Sequence, residues 1–425
     1  MSQSAIELKY GLRSFRSKLP ENIEPLVLHP EIEPPQITHD EMIRYALNHP
    51  IGAPPLRQLA KGRRSAVILV SGKTRVTGSQ FFLPFIVAEL ETGGVSVDQV
   101  SIVFATGTHE AMTRQDIMQV IGAGLAGKVR AYGHDCRNED GLVDIGTTSY
   151  GNRILANKSV MEADLKILTG RITHHYFAGF TGGSKSILPG ICGFESIVSN
   201  HRMVMSTADN FDPKTLHGQL DDNPVHQDMV EAAALSKPDF LFNTVLDHHH
   251  RIQYCVAGHH IKAHREGCRL AEKVHKRRVE RPASLVVASC GGHPYDVNLM
   301  QTIKTIFNCE KAVAPGGTLM LIAECAKGIH SGFFRWFAHP TFSDLAKTIV
   351  ENYDLTGHNT YLVRRFLQQH RIMMVTSLPD DEVKKMGITP VQNINDVIKT
   401  NKIQADRPVY IVPYGGTTLM TVQET

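Results

Sequence analysis

Short unbroken apolar runs recur along this chain, and each ends in a loop of glycine and small polar residues before a helical pattern begins. Ser65–Val70 runs into Ser71-Gly72-Lys73-Thr74-Arg75. Asp98–Ala105 runs into Thr106-Gly107-Thr108-His109, and Asp164–Thr169 into a loop that starts at Gly170. An apolar run without alternation is the pattern of a strand buried on both faces. Strand, loop and helix in repetition leave few solutions, the simplest being a parallel sheet with helices on its faces, an α/β fold. In such sheets ligands bind beyond the carboxyl ends of the strands. Arg75, His109 and the Gly170–Lys185 loop all follow strand ends, so they are expected to converge.

A chain of 425 residues is long enough for two domains. Gly258–Arg278 reads as a long, basic, polar helix and marks the boundary. A second strand–helix series then begins at Ser284–Ser289 and continues through Thr318–Ala323, Ile372–Thr376 and Val409–Val412. The expected architecture is two α/β domains with mainly parallel sheets and the active site in the cleft between them. Residues 1–272 form the N-terminal domain, with the reactive lysine and histidines. Residues 273–425 form a C-terminal domain that closes over the substrate, the last ~12 residues folding back on the first domain. The N-terminal segments Ala5–Gly11 and Ser14–Leu19 alternate as a hairpin would.

Composition closes several routes. A net charge of +3 gives no strong electrostatic case for nucleic acid or an anionic membrane. The seven cysteines are scattered and never form a C-x-x-C pair, which argues against a disulfide framework or cysteine zinc site and for a reducing compartment. No apolar leader opens the chain, and no run reaches the roughly 18 apolar residues of a membrane helix. A cytoplasmic, non-membrane protein is expected.

The stretch Gly170–His201 concentrates the chemistry. It holds His174, His175 and His201, and it places Lys185 after the glycines Gly182 and Gly183. Such glycines admit positive φ or a close approach of backbone to something bulky. A lysine fixed there can be a nucleophile, a tether amine or a phosphate partner; the bland alternative is a solvated surface loop. With His109, His175 and His201 as ligands a hydrolytic zinc site can be drawn, although no H-E-x-x-H is present. Histidines as acid and base suit proton movement at neutral pH. Arg75 suits a carboxylate substrate held by two hydrogen bonds. Gln301 and Lys304 share one helix face. Asp247-His248-His249-His250 is a poor metal site, because neighbours on an extended segment point to opposite sides.

On specific motifs the chain resembles the nickel-dependent lactate racemase family. The resemblance rests on Thr74-Arg75, on Ala105-Thr106-Gly107-Thr108-His109, and on Thr169-Gly170-Arg171-Ile172-Thr173 with His175-Tyr176-Phe177-Ala178-Gly179-Phe180. It continues through Gly182-Gly183, Lys185, Ile187-Leu188-Pro189-Gly190, Asn200-His201, Gly291-Gly292, Pro294, Gln301 and Lys304. It implies a nickel-pincer nucleotide, a pyridinium mononucleotide that binds nickel through sulfur, carbon and sulfur. By position Lys185 is the implied tether and His201 the implied nickel ligand, in keeping with imidazole in a square-planar site. Thr106, Gly107, Gly170, Gly182 and Gly183 are the implied cofactor cradle. His109 and His175 match the family's acid/base pair, and Arg75, Gln301 and Lys304 its substrate-binding groups. The reaction implied inverts C2 of a 2-hydroxy acid by hydride transfer to and from the cofactor, through a planar 2-keto acid. His174 lies one position away from the matching histidine and is secondary.

Departures from the family bear on the substrate. Gly72 stands where lactate racemases tend to carry an acidic residue, Val76 replaces a common proline, and Ser184 precedes the lysine where arginine is usual. Trp336, the sole tryptophan, is not where the family's pocket tryptophan is expected; that region reads Asp354 to Tyr361 and is polar. The expectation is a racemase or epimerase of a larger or more polar 2-hydroxy acid than lactate, such as a sugar acid. Maturation proteins are implied partners, and material made without them would lack the cofactor. The alternatives are a zinc-dependent hydrolase using the same histidines and a non-catalytic nucleotide-binding protein.

Overall fold

A computed structural model describes residues 5–20, 23–30, 32, 35–207, 210–401, 403 and 408–423. The chain divides into two compact units. One runs from Ile32 to Val274, apart from a short interval near 207–210. The other takes the chain from His275 onward together with the N-terminal hairpin.

The first unit is built on a six-stranded sheet. Its strands lie in the order Ile252–Gly258, Phe240–Leu246, Leu165–Arg171, Ala66–Ser71, Val100–Ala105, Arg130–Gly133. All neighbours are parallel except Ile252–Gly258, which runs antiparallel beside Phe240–Leu246. Ala66–Ser71 is the central strand, and Val67, Ile68, Leu69 and Val70 are wholly buried, as its unbroken apolar run implied. Helix Ser79–Thr92 covers it with Phe82, Leu83, Ile86 and Leu90. Helix His39–Asn48 starts at a capping box in which Thr38 and Glu41 satisfy each other's backbone N–H groups. Because Ser71 pairs with Ala105 and Leu69 with Leu168, the loops after three adjacent strands leave the sheet from the same edge.

The second unit has its own six-stranded sheet, in the order Thr389–Pro390, Arg371–Val375, Val313–Ile322, Ala283–Ser289, Val409–Val412, Leu26–Val27, all parallel. The two mainly parallel sheets are those the strand–helix repetition implied.

Several details differ from the sequence reading. The hairpin Ala5–Tyr10 with Arg13–Lys18, expected within residues 1–272, counts with the C-terminal unit: Ile6 and Leu8 are buried against Leu285, Val287 and Met320. The boundary helix stops at His275, and Lys276–Val279 is a strand paired with Leu419–Val422, so the chain's last strand stays within that same unit. The hairpin Leu142–Thr147 with Arg153–Asn157 is short and carries little apolar alternation, which is why it escapes a reading by pattern. Among the described residues, no helix is long and apolar enough to cross a membrane.

Candidate active site

Two groups of contacts gather the residues that the first unit was expected to bring together. Phe177, buried at 3% exposure, is the hub. The His175 ring meets it edge-on at 4.5 Å, the His201 ring at 5.1 Å, and the Lys185 Nζ lies 5.5 Å from its centroid. At the adjoining strand ends the Arg75 guanidinium approaches His109 Nε2 at 3.5 Å. The two groups are joined through backbone and charge. Gly107 donates its N–H to the Gly190 carbonyl at 3.0 Å, tying the His109 loop to the Lys185 loop.

Local structure explains how each side chain is presented. His174 and His175 form a two-residue strand against Gly179–Phe180, so they face opposite ways. His174 turns inward and packs on Phe180 at 4.8 Å, a core role that agrees with its secondary rank. His175 takes the other face. Its Nδ1 accepts the Ala178 N–H at 3.4 Å, so the neutral ring carries its proton on Nε2. A guanidinium only donates, so His109 Nε2 is the unprotonated nitrogen of its ring.

Lys185 sits in the turn Gly183–Ser186 after Gly182 and Gly183, both at positive φ. A side chain on Gly182 would lie 2.7 Å from Asn243 Oδ1, and one on Gly183 2.7 Å from the His264 ring. Glycine is required there by space as well as by φ. Desolvation, and after it the charge of Arg75, pushes the Lys185 ammonium down to about 7. Among the described residues, no carboxylate offsets these two effects at Lys185. An amine so placed gives up its proton more readily than a solvated lysine and is the more nucleophilic for it.

The proposed cradle residues divide. Thr106 is buried and its hydroxyl donates to the His134 carbonyl at 2.6 Å, so it fixes the loop. Gly107 has φ +55° and packs on Pro189. Gly170 lies at the end of its strand, where an added methyl would touch the Gly182 backbone at 3.5 Å. His201 is in the last turn of helix Phe194–Arg202, and its neighbour Asn200 is wholly buried. Gln301 and Lys304 lie in the other unit on helix Leu299–Cys309, where Lys304 Nζ donates to Gln301 Oε1 at 2.7 Å.

Sequence reasoning gave no role to Phe177, Asn243, His264 or Asp228. Asn243 left a signal, since it is a lone amide inside the otherwise apolar run Phe240–Leu246. His264 left a weaker one, at helical spacing from Cys268 and Ala271 on the buried face.

Two readings lose support. Among the described residues no three His, Cys, Asp or Glu side chains form a metal-holding group, so the zinc constellation of His109, His175 and His201 is not formed, nor is one at His248–His250. In the polar segment from Asp354 to Tyr361 the first three residues are half-buried and the rest face inward. His358, Asn359 and Thr360 are buried, the Tyr353 hydroxyl meets His358 Nδ1 at 2.8 Å, and Trp336 packs on Gly357.

Residues 10–212 match the family described as the lactate racemase N-terminal domain, and residues 279–420 the lactate racemase C-terminal domain. A lactate racemase from Thermoanaerobacterium thermosaccharolyticum is 33% identical over 422 residues, covering 96% of this chain and 97% of its own. The chain belongs to the lactate racemase family. It is accordingly an isomerase. A second lactate racemase, from Lactiplantibacillus plantarum, is 30% identical over 397 residues, 89% of this chain and 90% of its own. The solved lactate racemase apoprotein of T. thermosaccharolyticum superposes with a TM-score of 0.90 at 32% identity, over 99% of this chain and 100% of that one. A protein from Thermotoga maritima shares the fold, with a TM-score of 0.69 at 18% identity over 90% of this chain and 98% of its own.

Proposed function

We propose that this family member inverts C2 of a 2-hydroxy acid, with a nickel-pincer nucleotide held on Lys185 and His201. The observation that carries the reading is the arrangement around Phe177: an unpaired-acid amine, an imidazole and an acid/base candidate flank one ring. The donor set suits the group. Lys185 is an amine kept reactive by desolvation and would be the covalent attachment; His201 would be the protein's nickel ligand. When bound, the cofactor supplies a hydride acceptor and donor.

The chain's own residues supply orientation and proton movement. Arg75 presents a fork of N–H donors to the substrate carboxylate. His109, with Nε2 unprotonated, is poised to take the hydroxyl proton of one enantiomer. His175, with its proton on Nε2, is poised to return a proton from its own side. Two groups are needed because the hydroxyls of the two enantiomers lie on different sides of one anchored carboxylate. Gln301 and Lys304 are proposed substrate contacts supplied by the second unit.

We further propose a substrate larger or more polar than lactate. Its support is the sequence departure at Gly72, where an added side chain would meet Thr106 at 3.4 Å and Met112 at 3.7 Å, so the acidic residue that lactate racemases tend to carry there has no counterpart. The test is to produce the chain with cofactor-maturation proteins, measure intact mass and nickel, and screen a panel of 2-hydroxy acids. Mass added at Lys185, one nickel per chain and retention of C2 deuterium during inversion are expected. Unmodified Lys185 without nickel in matured material would overturn the cofactor reading, and lactate as the best substrate by a wide margin would overturn the substrate reading.

A further inference from the structure

We infer that Asn243 and His264 are positioning residues that clamp the Thr181–Lys185 turn from two sides and so aim the Lys185 amine. The inference rests on the reading of Lys185 as the cofactor-bearing residue.

The clamp is built from two different elements. Asn243 comes from the strand Phe240–Leu246 and is wholly buried. Its Oδ1 accepts the Gly183 N–H at 2.9 Å, while its Nδ2 donates to the Phe242 carbonyl at 2.9 Å. The second bond fixes which end of the amide faces the turn. His264 comes from helix Lys262–His275 and is 4% exposed. Its Nε2 lies 3.0 Å from the Thr181 carbonyl, which can only accept, so Nε2 carries the proton. Burial favours the neutral ring, which is the form with a single N–H.

Both side chains press on glycines. A Cβ on Gly182 would fall 2.7 Å from Asn243 Oδ1 and one on Gly183 2.7 Å from the His264 ring, so neither position has room for a side chain. Both glycines hold positive φ, which glycine adopts at no steric cost, so the two side chains choose one among several conformations open to the turn. Beyond the glycines, Lys185 donates its N–H to the Gly182 carbonyl at 3.2 Å. The lysine's direction is thus set by residues whose own positions Asn243 and His264 determine. A buried amide in a central apolar strand, bonded to the loop rather than to a neighbouring side chain, is what such a role requires.

The experiment labels the cofactor-free full chain at neutral pH with a small acylating reagent and reads Lys185 by peptide mass, relative to the other lysines. Asn243→Leu and His264→Phe are each expected to slow Lys185 labelling about tenfold, the loss that one hydrogen bond of ordinary strength implies. His264→Gln keeps a donor for the Thr181 carbonyl and is expected to recover most of the rate. Asn308→Leu removes a buried amide bond of the same kind, to the Gly415 carbonyl in the other unit, and should leave labelling unchanged. Wild-type labelling in both clamp variants, or an equal slowing in Asn308→Leu, would overturn the inference. If Asn243→Leu does not fold, the His264 pair decides, since it leaves the strand intact. Maturation separates the two claims. No added mass on wild-type Lys185 removes the tether reading whatever the variants do, whereas wild-type levels of added mass in both clamp variants remove the clamp.

Discussion

Asp228 offers the sharpest test of how the His201 helix is held. It is wholly buried on helix Pro224–Ser236 and accepts three hydrogen bonds: from Thr148 Oγ1 at 2.6 Å, Asn152 Nδ2 at 2.8 Å and Asn200 Nδ2 at 2.8 Å. Asn200 precedes His201, so this carboxylate pins the end of the helix that presents the imidazole. Replacing Asp228 with Leu keeps the branched shape and removes every acceptor. Thr148 can rotate its hydroxyl, but Asn152 and Asn200 each keep only the bond to a backbone carbonyl, Ser196 and Val225, and lose the other. Two buried N–H groups left unmade cost about 1–3 kcal/mol each, partly offset by no longer burying a charge, so a net loss of about 3 kcal/mol is expected. Asp228→Asn behaves differently. Its remaining oxygen can serve both amides and its NH2 can face the Thr148 hydroxyl, so about 1 kcal/mol is expected. Urea unfolding followed by a probe in the first unit measures both. With a slope of about 3 kcal/mol/M the Leu variant should shift its midpoint by about 1 M and the Asn variant by about a third of that. An Asn variant as damaged as the Leu variant would show that the charge itself, not the acceptor count, holds the network, and would refute the reasoning.

Other outcomes follow from the site. His201→Ala should leave the added mass on Lys185 of matured protein but strip its nickel, as read by intact mass beside metal analysis; retained nickel would assign the ligand elsewhere. Arg75→Met removes the cation that helps hold the Lys185 ammonium down, so the midpoint for labelling Lys185 should rise from about 7, and an unchanged midpoint would leave desolvation as its whole cause. Asp116 is held at about 2 by the Thr113 backbone N–H, then by Lys73 and the Thr113 hydroxyl. A depressed carboxylate contributes stability above its unfolded value of about 3.9 and loses it as pH falls toward the folded value. Wild type should therefore lose more stability between about pH 4 and pH 2 than Asp116→Asn does. Equal slopes in thermal unfolding across that window would count against the bonds to Asp116 from the Thr113 N–H and Lys73, both at 2.9 Å.

The parts of this molecule that were legible in its sequence are those governed by local pattern. Val67 to Val70 spell a strand buried on both faces, and Thr38 with Glu41 spells a helix start, because each signal lies within a few residues. The loops after the strands could be expected at one edge because parallel strands place their carboxyl ends together, and Arg75 does meet His109. What pattern could not give is partnership across long separations. Asn243 lies 60 positions from Gly183, and Asn152 lies 76 from Asp228. Nothing in either local window announces the other. The hairpin's membership was hidden for the same reason, since Ile6 and Leu8 find their core among residues beyond 280. At Asp354 to Tyr361 polar residues stand where an aromatic pocket wall was expected, and His358, Asn359 and Thr360 are buried. A buried polar side chain is tolerated when it is bonded, and His358, Asn359 and Thr360 each have partners close by, so their polarity reports internal satisfaction rather than a wetter site.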